Sequence, residues 1–208
     1  PMEYLLIASA VVPFGSIAIS KLLLPELGTV ENIENVSMDN KGDNENLIGA
    51  IAEGAMNGLQ SALAIGASLI AIIGLVALVN GILGIFGITL QQIFSYIFSP
   101  IGFLMGLDGA EILRAGQLLG EKLVLNEFVA FQTLGEVIQT LDYRTGLVMA
   151  ISLCGFANIS SMGICISGIS ALCPEKRKVL SKLAFKAMIG GFAVSVLSAM
   201  IVGLITLI

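Results

Sequence analysis

From Gly54 to Leu107 the chain carries no Asp, Glu, Lys or Arg, and uncharged runs recur from Thr145 to Cys173 and from Ala187 to Ile208. About 20 apolar residues cross the hydrocarbon core of a bilayer as a helix, and only helices or closed barrels satisfy their backbone polar groups there. Runs of this length restrict the chain to an all-α integral membrane protein. Composition agrees, since only 12% of residues are charged, about half the share in a soluble domain, and mean hydropathy is +0.97. Too few charges remain to cover a water-soluble globule.

With no histidine, the chain lacks the imidazole on which Ser-His-Asp and Cys-His nucleophiles and the usual zinc sites depend. No Ser/Lys, paired-Asp or metal-ligand constellation is evident, so the sequence reads as a non-enzyme with no metal site and no catalytic residue. Cys154, Cys165 and Cys173 share one apolar stretch without paired spacing and read as small packing residues. The net charge of −5 is local, because seven of the fifteen acids lie between Glu26 and Glu53. Residue 1 is Pro and no basic segment precedes the first apolar run, so the chain reads as a piece of a longer one.

Charge clusters divide the chain into segments. Residues 1–25 form a first span or its remnant, with Leu5–Leu24 closed by Lys21 and the Pro25-Glu26 pair. Residues 26–53 are an acidic connection. Residues 54–107 hold a long helix over about Met56–Phe86, then a stretch with Gln91, Gln92, Tyr96 and Pro100 that suits the membrane interface. Residues 108–142 mix apolar runs with Glu111, Arg114, Glu121, Lys122, Glu127 and Glu136. Two arms, Ala110–Lys122 and Glu127–Leu141, are each too short to cross, which predicts a re-entrant helical hairpin. Residues 143–173 form a span interrupted at its middle by Gly155-Phe156-Ala157-Asn158-Ile159-Ser160-Ser161-Met162-Gly163. Residues 174–208 hold a basic connection and a terminal span. Lys176, Arg177, Lys178, Lys182 and Lys186 crowd that connection, which predicts that it is cytoplasmic, with the acidic connection, and that the hairpin opens from outside. This topology uses the basic cluster, leaving no nucleic-acid footprint.

Two places carry groups able to bind a solute. Glu127 puts a carboxylate in an apolar hairpin, which costs about 2.5 to 3.5 kcal/mol on insertion scales unless it faces a wet cavity or a partner. An ion pair with Lys122 or Arg114 is the alternative reading. Glu111, Glu121 and Lys122 read as charges on the hairpin rim. The second place is the Phe156–Ser161 interruption, where loose amides, Asn158 and the serines either bind a polar solute or bond neighbouring helices. Gly54, Gly58, Ala62 and Gly66 form a small-residue stripe that reads as a packing surface for another helix.

The run Gly120-x-Lys122-Leu123-x-x-Asn126-Glu127-Phe128-Val129-Ala130, followed by Leu153-Cys154-Gly155-Phe156-Ala157-Asn158-x-Ser160-Ser161-x-Gly163-Ile164, resembles the paired signature of the concentrative nucleoside transporters. Ser20-Lys21-Leu22, Gly58-Leu59-Gln60 and Ala171-x-x-Pro174-Glu175-x-Arg177 extend the likeness over the whole chain as that family's C-terminal half. The resemblance implies a multi-pass homotrimer in the cell (plasma or inner) membrane that imports nucleosides down a cation gradient. It implies that Glu127, Asn158 and Ser161 hydrogen-bond the ribose and that Phe156 lies against the nucleobase. The family's first hairpin and following helix, which hold the cation, are not among these residues. The coupling ion, sodium or proton, is therefore expected to bind outside this chain, and no other cofactor is implied. Position 159 is Ile where relatives frequently carry an aromatic. A membrane scaffold whose polar segments only join helices is the competing reading, and absence of nucleoside binding would distinguish it.

Overall fold

The computed structural model describes residues 2–25, 28 and 46–207. Its regular structure is helical throughout, with no strand among the described residues. The described residues divide into two compact units, one within residues 26–81 and the other formed by the remainder.

Most of α2 (Leu47–Gly84) belongs to the first unit. Its 38 residues make a rod of about 57 Å, well beyond the hydrocarbon thickness of about 30 Å. Gly54, Gly58 and Gly66 of the small-residue stripe open onto free space, with no atom among the described residues within 4 Å of where a Cβ would stand.

In the second unit, α1 (Met2–Leu23) and α8 (Arg177–Ile205) are both long and apolar enough to cross a membrane. Pro13 sits inside α1, and the helix continues past it. Between α1 and α8 in sequence come α3 (Leu90–Leu104), α4 (Ala110–Gly120), a π-helical turn (Glu121–Leu125), α5 (Glu127–Val137), α6 (Tyr143–Leu153) and α7 (Ile159–Leu172). At 15 and 11 residues, α3 and α4 extend only about 22 and 16 Å.

Thr89 starts α3 with a capping box, accepting from the Gln92 backbone while Gln92 accepts from the Thr89 backbone. Gly106 and Gly109, both at positive φ, then turn the chain into α4. The two helices run antiparallel at close range, because glycines remove the side chains that would separate them. A Cβ on Gly102 would stand 2.7 Å from the Ile112 carbonyl, one on Gly116 would meet the Ser95 carbonyl, and one on Gly120 would meet the Phe94 ring. Between apolar helices in lipid, such contact supplies the packing that the hydrophobic effect supplies in water. The stretch with interfacial composition thus forms a helix seated along α4.

Helix α8 is the centre against which α1, α6 and α7 pack. Gly190 faces Leu23 and Ile19 of α1, Gly15 faces Val194, Gly191 faces Ala157, and Gly203 faces Val148. The buried core includes Leu118, Leu119, Leu147, Val148, Met149, Ile151, Leu153 and Ala199. Arg144 fastens the α3–α4 turn to the end of α8, donating to the Gly106 carbonyl at 3.0 Å and the Gly203 carbonyl at 3.1 Å. The second of these is among the carbonyls that a helix end leaves without an intrahelical partner.

Candidate functional site

Two helices begin at the same place for the same local reason. Asn126, extended at φ −169°, caps α5 by accepting from the Val129 amide at 2.9 Å. Asn158 caps α7 by accepting from the Ser161 amide at 2.7 Å. Asparagine is among the preferred N-caps because its side-chain oxygen satisfies an amide that the first turn leaves unpaired. Its NH2 group remains free to reach outward. The Asn158 Nδ2 uses that freedom to donate to the Glu127 carboxylate, at the first position of α5.

Around this contact, Asn158 and Ser161 are buried and Glu127 and Ser160 are partly buried. The Ser160 hydroxyl donates to Asn158 Oδ1 at 2.7 Å. Ser161 completes the cap, its hydroxyl accepting from the Asn158 amide at 3.0 Å and lying 2.7 Å from the Asn158 carbonyl. Phe156 lies in the non-helical segment between α6 and α7, half exposed, and Ile159 is similarly exposed at the first turn of α7. The positive ends of two helix dipoles meet beside the carboxylate, a favourable setting for negative charge and an unfavourable one for a bound cation. The structure thus joins Glu127 to Asn158 directly and Ser161 through Asn158, with Phe156 two residues away on the connecting segment.

Neither suggested ion-pair partner of Glu127 is engaged with it. Arg114 pairs with Glu111 on the surface of α4 at 3.2 Å. Lys122 crosses to the end of α6 and donates to the carbonyls of Ser152 at 2.7 Å and Cys154 at 2.9 Å. Glu121 and Lys122, read from the sequence as rim charges, are 1% and 0% exposed. The reason lies in the fold: α6 stops at Leu153, its last carbonyls lack amide partners, and the lysine ammonium supplies donors where water does not reach. Glu121 is held on one oxygen by Gln117 Nε2 at 3.0 Å, while its other oxygen is buried without a hydrogen-bond partner among the described residues.

Sequence reasoning missed Ser195 as well as Lys122. The Ser195 hydroxyl lies 2.7 Å from the Cys154 carbonyl and 3.0 Å from that of Gly191 in its own helix. An ionisable residue at membrane depth is itself a functional signal, and it pointed to Lys122. Nothing in the α8 sequence singled out Ser195. Of the cysteines, Cys154 is buried against the Ala150 carbonyl at 3.3 Å, whereas Cys165 is exposed and so does not pack as expected.

Residues 4–203 match the family described as Na+ dependent nucleoside transporter C-terminus. The chain belongs to that family. The chain is 41% identical over 212 residues to the uncharacterized transporter YutK of Bacillus subtilis, covering 98% of this chain and 52% of that protein. It is 34% identical to the nucleoside permease NupC of Helicobacter pylori, covering 98% of this chain and 51% of the permease. Among solved structures, CNTnw in an inward-facing substrate-bound state superposes with a TM-score of 0.87 at 37% identity, over 100% of this chain and 52% of that one. The chain spans about half the length of these relatives. The family's proteins are membrane transporters, and this chain matches their C-terminal half, with only helices as regular structure among its described residues.

Proposed function

We propose that this chain is the substrate-gripping half of a nucleoside:cation symporter, multi-pass in the cell membrane and working as a homotrimer. The observation that carries this reading is the meeting of two helix N-termini at Glu127 and Asn158. A carboxylate and a side-chain amide in contact offer an acceptor next to a donor. A ribose diol has the complement, since one hydroxyl donates to the carboxylate while a neighbouring oxygen accepts from the amide. In this reading nucleoside enters by replacing the Glu127–Asn158 hydrogen bond with two of its own. Ser161 holds the cap that aims Asn158, and the exposed Phe156 ring offers a face to the base.

Helices α4 and α5 are the arms of a re-entrant hairpin, and α6 and α7 are the halves of one broken span. Arms of 11 residues each, about 16 Å long, support this assignment, since neither crosses a bilayer alone. Hairpin and broken span move as a body against the trimer scaffold to give alternating access. The coupling cation binds outside this chain. The family description favours sodium over protons, and the positive helix ends at the site argue against a cation beside Glu127.

The test is uptake of labelled uridine and adenosine by the complete protein in proteoliposomes, under an imposed sodium or proton gradient. Gradient-dependent uptake supports the symporter reading. Absence of nucleoside binding favours the membrane scaffold.

A further inference from the structure

We infer that Lys122 is a positioning residue for the nucleoside site, acting through the Cys154 carbonyl and touching no substrate. The inference rests on the symporter reading above and names a further part of the same site.

Lys122 is fully buried, and two of its three N–H donors are hydrogen-bonded. These go to the Ser152 and Cys154 carbonyls at 2.7 and 2.9 Å, and the third side of the ammonium faces Phe192, whose ring centroid is 5.9 Å from Nζ. That distance is within the range of a cation–π contact. The end of α6 is also the negative end of its dipole, which favours a cation there. Lys122 is therefore placed against two elements of the fold, the end of α6 and the Phe192 ring of α8.

The Cys154 carbonyl receives a second hydrogen bond from Ser195 at 2.7 Å. It is the last group held firmly before the chain leaves the helix: Gly155 follows at φ +100°, and Asn158 comes three residues later. A peg at Cys154 sets where the break starts and so where the Asn158 amide points. The same short stretch of chain, residues 122–127, supplies both ends of the connection, with Lys122 on Ser152 and Cys154 and Glu127 on Asn158. Lys122 lies within the π-helical turn Glu121–Leu125, and the extended Asn126 separates that turn from Glu127. The extra residue in that turn sets the register in which both contacts are made, and π-turns are frequent at functional sites.

The test measures nucleoside affinity in the complete symporter carrying Lys122→Met, Ser195→Ala, Asn158→Ala and the pairs with Asn158→Ala. Lys122→Met is expected to lower affinity about tenfold or more, the scale of a lost charge-assisted hydrogen bond, and Ser195→Ala about threefold. Because both act through the placement of Asn158, each is expected to add less than about twofold once Asn158 is alanine. Unchanged affinity in both single variants, or losses that add fully to that of Asn158→Ala, overturns the inference. If Lys122→Met does not fold, the Ser195→Ala cycle decides by the same criteria. A complete wild-type protein that binds no nucleoside overturns the symporter reading, and the inference with it.

Discussion

The side-chain amide of Asn158 donates to the carboxylate of Glu127, 31 positions away in sequence, joining the N-termini of two helices. Each residue sits where a helix begins, so each is aimed by a cap. The pair closes on itself, and no lysine or arginine among the described residues forms a salt bridge with Glu127.

Glu127→Gln in the complete protein keeps the shape and the hydrogen bond to Asn158 but loses its charge. Nucleoside affinity is expected to fall by about 1.5 to 3 kcal/mol, roughly 10- to 150-fold. Because Lys122 and Arg114 are engaged elsewhere, no buried cation is orphaned, and the melting temperature is expected to stay near wild type. Calorimetric titration and thermal unfolding in the same detergent check both parts; a large drop in melting temperature with affinity retained contradicts the binding role.

Asn158 has two duties that separate by substitution. Asn158→Ala removes both the cap of α7 and the amide donated to Glu127, whereas Asn158→Ser keeps a good cap on a side chain too short to reach the carboxylate. Both are expected to lose nucleoside affinity, but only alanine should lose the capping contribution of about 0.5 to 2 kcal/mol. Equal melting temperatures for the two variants would contradict this division.

Gly155→Ala is expected to destabilise the fold by about 1 to 3 kcal/mol, since a side chain at positive φ is strained. Its Cβ would also stand 2.9 Å from the Ser195 hydroxyl. Thermal unfolding of the variant beside Gly163→Ala, where a Cβ would meet no atom of another element among the described residues within 4 Å, checks the prediction. Equal losses at the two positions would count against it.

Asp142 caps α6 from the connection that precedes it, accepting from the Thr145 amide at 3.0 Å. The Thr145 side chain, then its backbone amide, holds the Asp142 carboxyl below its ordinary value of 3.8. A depressed carboxyl stabilises the fold above the unfolded-state value and loses that contribution as pH falls through the folded one. The gap in melting temperature between wild type and Asp142→Ala is therefore expected to be constant from neutral pH down to about pH 5 and to narrow below about pH 4. A gap independent of pH would contradict the assignment.

Residues 1–208 alone are expected to insert into membranes without transporting. A substrate held by one wall lacks the enclosure that takes the place of water. Gradient-driven uptake by this chain alone in proteoliposomes would refute the expectation.

The helical class and the membrane setting are properties of the chain read in one dimension. Uncharged runs such as Ala187–Ile208 are costly to hydrate and long enough to span, whatever they pack against. The N-caps are nearly as local, because Asn158 and Ser161 meet within a single turn. Quoting Glu127 and Asn158 as candidates needed only their types, a carboxylate and an amide in apolar surroundings. What they touch depended on the tertiary fold. The same holds for Lys122, whose place on a hairpin suggested a rim. Its partners are carbonyls about 30 residues away that become available only because α6 ends at Leu153. Backbone carbonyls carry no signature in the sequence, and an ammonium that satisfies them is visible only once the helix end and the lysine share one interior.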